Sequence, residues 1–432
     1  GLRVAVAPMH RLPMVTVLVL VDAGATRDAT GTEGAAVLTA SALTEGTARL
    51  DGAALTEQFE RLGASLDAGA DWDSFMAHVA VTPDRLEEAM ALLGESIVTP
   101  GFRARDVERL KDERLADLLQ QRVEPRGLAA EQFREFLYVD GSRYRVSAGG
   151  SPSSVRALTP ELVRAFHARE IAPDRMTIVL AGDVTLERGV QLVERALGAW
   201  HHTAGSADAV QVDDRTVAGG RRVRVVHKAD APQSELRVGH RGLPRLHPDF
   251  FDVVVMNALI GGLFSSRINL NLREKHAYTY GANSLFDWRR GAGPFVVSTA
   301  VKTEVTDAAV REILLEIDRM RSETVSVDEL SLATAYLDGV FPIRYETTTA
   351  VAQAIASATV YGLPDDYYTT YRANIRAVTA ESVRRAAERH LHPDELLVLA
   401  VGDRTAISSP LDALGIGPLD VVVPTETGDA DA

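Results

Sequence analysis

The sequence predicts an α+β protein made of two similar halves, each a mainly antiparallel sheet covered on one face by helices. Strand-like and helix-like stretches occur in similar number without strict alternation. A segment at Leu158–Val184 returns at Val378–Arg404, which indicates an internal duplication. The chain of 432 residues also exceeds what one hydrophobic core usually organises.

Patterns in the first part of the chain support both element types. Apolar residues that alternate with polar ones, or form short runs between turn residues, predict strands, and apolar residues at helical spacing predict helices. The predicted strands are Leu2–Val6, Val15–Asp22 and two stretches within Ser65–Thr82. The predicted helices are Gly34–Thr44, which is rich in alanine, Thr56–Leu62, Asp84–Ile97 and Arg105–Gln121.

The duplicated segment is the strongest sign of organisation. Without a gap, its two copies share residues at equivalent positions 220 apart, as 159 and 379 illustrate. Each copy predicts a helix that opens with Thr-x-Glu, a Pro-Asp turn and an apolar strand that ends in Gly-Asp. The shared positions are Thr159/Thr379, Glu161/Glu381, Val163/Val383, Arg164/Arg384, Arg169/Arg389, Pro173/Pro393, Asp174/Asp394, Gly182/Gly402 and Asp183/Asp403.

Composition divides the chain further. Residues 203–220 contain few large apolar side chains and end in two glycines, which is typical of a surface linker. We therefore predict an N-terminal α+β domain over 1–202, a linker over 203–220 and a C-terminal α+β domain over 221–418. The acidic tail 419–432 is predicted to be disordered.

Charge and composition exclude several functions. The net charge of −14 argues against a nucleic-acid partner, because phosphates would be repelled. The absence of cysteine excludes disulfides, thiolate zinc sites and a cysteine nucleophile. The longest apolar run, Met14–Val21, is too short to span a membrane.

Local catalytic motifs are also missing. None of the eleven histidines has another histidine four positions away, so HExxH and HxxEH are absent. The sequence has no GxSxG elbow, P-loop or GxGxxG. His390 with His392, and His201 with His202, lie beside turn residues without a carboxylate grouped nearby. They are interpreted as turn histidines, and no metal site is predicted in this chain.

The stretch Ser265–Phe286 offers the best candidate chemistry. It begins with apolar residues at helical spacing and from Tyr278 changes to the two-residue period of a strand. Arg273 and Tyr280 flank this junction, where a guanidinium and a phenol could both donate hydrogen bonds to one anionic or carbonyl oxygen. The alternative is that Arg273 is a solvated cation in the last helical turn and Tyr280 an ordinary strand residue.

Several segments together resemble the pitrilysin-type peptidases, the inverted zincins, and within them the bacterial relatives of the mitochondrial processing peptidase subunits. The resemblance runs from Gly1 to about Leu419 and includes the two-half organisation. The segments that carry it are Gly1–Val4, Gly24–Asp28, Gly34–Gly46, Ser265–Arg267 and Leu272–Lys275.

The resemblance implies that this chain lacks the family's zinc site. The family's HxxEH positions, two zinc ligands and a general base, match Val37, Ala40 and Ser41, and a later glutamate ligand falls near Asp117. Catalytic zinc needs three protein ligands and an open position. We therefore expect no cofactor in this chain and no peptide hydrolysis by the chain alone.

The resemblance also gives Arg273 and Tyr280 a role. In the family such a pair hydrogen-bonds the substrate backbone, and the tyrosine is thought to stabilise the tetrahedral intermediate. We therefore expect a heterodimer with an HxxEH-bearing homologous partner. The partner would bind zinc, and a peptide substrate would contact both chains. The alternative is a purely structural family member.

Two further expectations come from the resemblance. The halves should face one another as a clamshell. A periplasmic location is expected, with the cytoplasm as the alternative, since such pairs resemble exported proteins and the sequence starts at Gly1.

Overall fold

The computed structural model describes residues 1–202 and 212–424, which form two compact units. The units interleave along the chain, since Leu119–Val146 packs within the second unit and Pro342–Asp365 within the first. The prediction instead divided the chain into two continuous segments joined by a linker at 203–220. Residues 203–211 of that linker lie outside the described residues. The first unit comprises Gly1–Leu118, Ser147–Gln211 and Pro342–Asp365, and the second Leu119–Val146, Val212–Phe341 and Asp366–Ala432.

The secondary structure mixes strands and helices throughout, as predicted. The strands are β1 (Arg3–Pro8), β2 (Val15–Val21), β3 (Asp67–Ala70), β4 (Phe75–Val81), β5 (Met176–Gly182), β6 (Arg222–His227), β7 (Gln233–Arg241), β8 (Ala282–Phe286), β9 (Pro294–Lys302), β10 (Leu397–Gly402) and β11 (Leu419–Val422). The helices are α1 (Ala35–Ala42), α2 (Gly52–Arg61), α3 (Leu86–Val98), α4 (Ala104–Val123), α5 (Pro125–Leu137), α6 (Pro152–Ala157), α7 (Pro160–Glu170), α8 (Leu186–Leu197), α9 (Phe250–Asn257), α10 (Arg267–Asn269), α11 (Thr306–Ser322), α12 (Val327–Arg344), α13 (Thr348–Tyr361), α14 (Tyr367–Ala377), α15 (Ala380–His390) and α16 (Arg404–Asp412).

The sheet of the first unit has the strand order β1-β5-β2-β4-β3. Only the β1–β5 pair is parallel, and the other pairs are antiparallel. One face carries alternate residues of the central strands, such as Val17, Val19 and Leu180, and packs into the main core with α1, α3, α7 and α8. Burial of this face is the main hydrophobic contribution to the unit.

The opposite face of the same sheet is covered as well. Leu18, Leu20 and Val179 form a second apolar cluster with Ala352 and Ala356 of α13. The prediction of a sheet covered on one face was therefore wrong for this unit. The signal lay in β2, whose seven residues VTVLVLV are all buried, because a strand with only one covered face would alternate apolar and polar residues.

The sheet of the second unit repeats the first. Its order is β11-β6-β10-β7-β9-β8. Without β11, the strands β6, β10, β7, β9 and β8 correspond in chain order and position to β1, β5, β2, β4 and β3 of the first sheet. Helix α5 packs on β7 and β10. Its Phe133 ring lies so close to Gly239 that an added Cβ atom there would be 3.0 Å from it. The buried Arg237 of β7 also donates to the carbonyl of Arg126 at the start of α5. The predicted α+β fold and the duplication are both confirmed.

The duplicated segment has the local structure that its sequence predicts. The Thr159 and Thr379 side chains cap α7 and α15 by accepting the backbone N–H groups of Leu162 and Ser382. Strands β5 and β10 follow after a short 3₁₀ turn that begins at the Pro-Asp dipeptide.

The predicted disorder of the acidic tail was wrong at its start. Leu419–Val422 forms β11, which pairs in parallel with β6. Arg224 of β6 donates to both carboxylate oxygens of Asp420, at 3.0 Å from Nε to Oδ2 and 3.3 Å from Nε to Oδ1. The negative charge therefore has a local cationic partner in the sheet. Residues 425–432 lie outside the described residues.

A long apolar helical stretch in the second unit connects the core to the candidate site. Phe250–Lys275 is long and apolar enough to cross a membrane by length and composition, and 56% of its apolar window is buried inside the protein, which is typical of a core helix. It is not a regular helix, since π-helical turns occupy Ala258–Gly262 and Leu270–Lys275. Such turns are often found at functional sites.

Arg267, whose side chain is 11% exposed, fixes this stretch to α12. Its Nε donates to Glu329 Oε1 at 2.7 Å, and its second terminal nitrogen donates to Oε2 at 3.2 Å. The backbone and hydroxyl of Ser326 also donate to Glu329, each at 2.9 Å. The guanidinium hydrogen bonds are the main cause that lowers the pKa of Glu329 to about 2.

We predict that Gly182→Ala destabilises the protein by about 2–5 kcal/mol, whereas Gly69→Ala changes stability by less than about 0.5 kcal/mol. Gly182 has a φ of +139°, and a Cβ atom there would lie 2.1 Å from the Met14 carbonyl oxygen. Gly69 lies in an exposed strand position with nothing within 4 Å of an added Cβ. Urea unfolding followed by circular dichroism measures both, and equal midpoints would contradict the prediction.

A second prediction concerns acid stability. Because the pKa of Glu329 is lowered from 4.5 to about 2, its ion pair stabilises the protein fully above pH 4.5 and is lost as the pH falls towards 2. Glu329→Gln should lower stability at pH 7 and flatten the decline between pH 4.5 and 2. Thermal unfolding at a series of pH values checks this. A variant whose melting temperature falls as steeply as that of the wild type over this interval would refute it.

Candidate functional site

Helix α1 occupies the place where the resemblance puts the zinc-binding motif. Asp28 accepts the backbone N–H groups of Gly34 and Ala36 at 2.8 and 2.9 Å, and so fixes the start of the helix. Ala40 is 0% exposed and belongs to the main core of the first unit. This helix therefore contributes core packing at the position where the family has its general base.

The residues of α1 do not fit a zinc ion. The side chains of Val37 and Ala40 have no atom that can bind a metal. The hydroxyl of Ser41 donates a hydrogen bond to the Val37 carbonyl at 3.2 Å. Asp117 is exposed on α4 and would be a single carboxylate. Zinc requires three or four nitrogen, sulfur or oxygen ligands, so this set cannot hold it.

Arg273 lies in the π-helical turn Leu270–Lys275. Its guanidinium carbon is 4.3 Å from the centre of the Phe264 ring, which is itself 68% exposed. Its Nε lies 3.5 Å from a Glu274 carboxylate oxygen, and the side chain is 35% exposed. Among the described residues its guanidinium makes no hydrogen bond, so its N–H donors are available to a ligand.

Tyr280 is the most exposed large hydrophobic side chain in the described residues, at 92%. The prediction that a strand starts at Tyr278 was wrong, because β8 begins at Ala282 and Tyr280 lies in the preceding loop. The loop is fixed at both sides of the tyrosine. The hydroxyl oxygen of Thr299 in β9 lies 3.0 Å from both the Thr279 hydroxyl and the Gly281 carbonyl oxygen, within hydrogen-bond distance of each.

Asn269 connects the two candidate residues. It is 2% exposed, donates to the carbonyl of Phe264 at 2.6 Å and accepts the N–H of Ala282 at 3.0 Å. The segment that supports Arg273 and the loop that carries Tyr280 are thus held by one buried amide. A buried amide with both its donor and its acceptor paired gives a well-defined local geometry.

Two further features restrict the loop. Ala277 has a φ of +53°, a left-handed conformation that costs an alanine about 1 kcal/mol. The rings of His276 and Tyr278 stack with centres 4.9 Å apart.

The π-helical turn is held to α11 by Asn271, whose amide donates to Glu312 and Glu316 of that helix at 2.9 and 2.7 Å.

The sequence predicted Arg273 and Tyr280 as candidates but did not predict the residues that support them. Phe264, Asn269 and Thr299 carry no motif, and their roles depend on contacts with residues 5 to 20 positions away. A buried asparagine in an otherwise apolar helical stretch was the available signal, because such a residue requires partners.

Comparison with known proteins identifies the family of the fold. Residues 3–139 match the family model described as insulinase (peptidase family M16), and residues 157–337 match the one described as peptidase M16 inactive domain. A crystal structure of a peptidase M16 inactive domain from Pseudomonas fluorescens superposes with a TM-score of 0.86 and 25% identity, covering 93% of this chain and 96% of that one.

Full-length relatives agree with this result. An uncharacterized zinc protease of Mycobacterium tuberculosis is 24% identical over 392 residues, 90% of this chain and 89% of the relative. A probable mitochondrial-processing peptidase subunit beta of Arabidopsis thaliana is 22% identical over 414 residues, 93% of this chain and 77% of the relative. The predicted resemblance is confirmed: the chain belongs to peptidase family M16, the pitrilysin-type peptidases, and resembles its inactive members.

Proposed function

We propose that this chain is the non-zinc subunit of a heterodimeric metallopeptidase, in which an HxxEH-bearing homologue supplies the metal and the general base. The observation that carries the proposal is the contrast between two regions. Helix α1 packs into the core around Ala40, whereas Arg273 and Tyr280 present side-chain donors that make no hydrogen bond to another described residue.

The exposure of Tyr280 supports a contact with another molecule. Leaving a tyrosine ring 92% exposed forgoes the burial that usually makes aromatic residues stabilising. The surrounding loop nevertheless has hydrogen bonds to Asn269 and Thr299, of which the one between Ala282 and Asn269 is buried. A rigid support under an exposed side chain is the arrangement expected of a binding or catalytic residue.

The chemistry proposed for the pair is the donation of hydrogen bonds. Arg273 would bind a carbonyl oxygen of the peptide backbone, and its position against the Phe264 ring limits the directions in which the guanidinium can point. The Tyr280 hydroxyl would donate to the oxygen that becomes negatively charged as the scissile carbonyl turns tetrahedral. Donors that are already oriented stabilise such a charge without reorganisation.

The names of the relatives support a paired arrangement. A subunit beta, as the Arabidopsis relative is described, is one part of a multi-subunit peptidase. We extend this to the present chain as a proposal, with an HxxEH-bearing partner and extended peptides as substrates, whose backbone can add to a sheet edge.

We predict that the chain and an HxxEH homologue from the same cell hydrolyse a quenched fluorescent peptide only when mixed. In that mixture Tyr280→Phe should lower kcat by about 100-fold, because it removes one donor to the developing charge. Tyr336→Phe is the matched control, since Tyr336 is also exposed, at 52%, and lies on α12. Association with the partner, measured by size-exclusion chromatography, should be the same for both variants.

Activity of the homologue alone equal to that of the mixture would contradict the proposal and favour a purely structural role for this chain. An equal loss for Tyr280→Phe and Tyr336→Phe would also contradict it.

For Arg273 we expect a different kinetic effect. Arg273→Ala should raise KM by about tenfold and lower kcat less, because the guanidinium binds substrate and transition state alike. Arg311→Ala, which removes another surface arginine that is 62% exposed, should leave both parameters unchanged. Steady-state kinetics of the mixed chains measures the two constants. A KM that stays within twofold of the wild-type value in Arg273→Ala would reject this role.

A further inference from the structure

A cluster of possible metal ligands lies in the second unit, away from the loop of Tyr280 in sequence. His247, Asp249 and His390 each offer one ligand atom, and these atoms lie within 4.8 Å of one another. His390 is the last residue of α15, and Asp249 immediately precedes α9. The sequence interpretation placed His390 beside a turn without a carboxylate, and the fold supplies that carboxylate from 141 residues away.

The three side chains are already oriented towards one another. His390 Nε2 and Asp249 Oδ2 are 2.7 Å apart, and the backbone N–H of Asp249 donates to His247 Nδ1 at 3.1 Å. The two imidazole rings meet edge to face, with centres 5.0 Å apart and planes at 84°. Arg389 also reaches Asp249 at 3.3 Å, but its side chain is 60% exposed and can turn into solvent.

The equivalent place in the first unit is occupied by ion pairs between side chains. The residue 220 positions before His390 is Glu170, at the end of α7. Its carboxylate is surrounded by the guanidinium groups of Arg27, Arg169 and Arg175, and the side chains of Arg27 and Arg175 are only 9% and 7% exposed. That site is a network of ion pairs between a carboxylate and guanidinium groups. Among the described residues, the second copy instead has two imidazoles and a carboxylate at this place.

We infer that His247, Asp249 and His390 form a binding site for a divalent transition-metal cation such as Zn²⁺. Two imidazole nitrogens and one carboxylate oxygen are a donor set that Zn²⁺ accepts at about 2.0–2.2 Å, with water in the fourth position. Mg²⁺ and Ca²⁺ prefer oxygen ligands throughout and are poorly matched to it. The spacing of 2.7 Å between two of the donors needs to open only slightly to admit the ion.

The cluster is accessible to a cation. His247 and Asp249 are both partly exposed, which gives an ion a path from solvent.

A bound ion would join the end of α15 to the start of α9. These helices pack against each other, and α15 is followed, after one 3₁₀ turn, by the central strand β10. The cation would therefore stabilise the core of the second unit. This site is independent of the proposed peptidase function, since none of its residues belongs to the loop of Arg273 and Tyr280.

The test is calorimetric titration of Zn²⁺ into the full chain after treatment with a chelator. We expect one Zn²⁺ per chain, no comparable binding of Mg²⁺ and a raised melting temperature in the presence of Zn²⁺. His247→Ala and Asp249→Asn should each weaken binding by at least about tenfold, since loss of a direct ligand costs no less than loss of an outer-shell partner. His390→Ala should do the same, provided that circular dichroism shows it to be folded.

His10→Ala is the matched control. His10 and Asp183 of the first unit lie 2.7 Å apart, as His390 and Asp249 do, but neither belongs to the three-ligand cluster. Its substitution should leave the affinity and stoichiometry unchanged. Absence of Zn²⁺ binding would overturn the inference. So would Zn²⁺ binding that His247→Ala and Asp249→Asn leave intact, because it would then reflect adventitious surface histidines.

Discussion

Burial of both faces of the central strands is the constraint on which the first unit depends. Strand β2 has no exposed residue, and β5 beside it is buried along its whole length. A sheet of this kind needs a helical layer on each side, because apolar side chains project from both faces. The layer against Leu18 and Val179 comes from α13, whose small Ala352 and Ala356 allow the helix to approach closely. Helix α5 packs on the central strands β7 and β10 of the second unit.

The two copies of the duplicated architecture share features of the backbone. The strand order, the capping threonines Thr159 and Thr379, and the glycines Gly182 and Gly402 recur in both copies, because packing and backbone geometry require them. By contrast, helix α1 of the first unit has no set of zinc ligands at Val37, Ala40 and Ser41, and Ala40 belongs to the core. In the second unit, Tyr280 lies outside the core on a loop that Asn269 holds against the segment preceding Arg273.

The sequence was sufficient for the parts of the fold that local chemistry determines. The capping threonines, the Pro-Asp turns and the terminal glycines of the duplicated segment predicted helix, turn and strand in the right order. The alternation from Tyr278 was misleading, since a loop that carries exposed aromatic residues shows the same period as an edge strand. Tertiary pairing could not be predicted at all. Nothing in the spacing of Asp249 and His390 indicates that they meet, and nothing in the composition of α13 indicates which sheet it covers.

The position of α13 in the chain has a consequence for biosynthesis. The strands that it covers are complete once Gly182 has been made, but Thr348–Tyr361 follows much later. Until the ribosome has added those residues, Leu18, Leu20 and Val179 remain open to water on one side of a finished sheet. The nascent first unit therefore has an uncovered apolar surface until α13 has been made, and a chaperone that shields it would protect the chain from aggregation during translation.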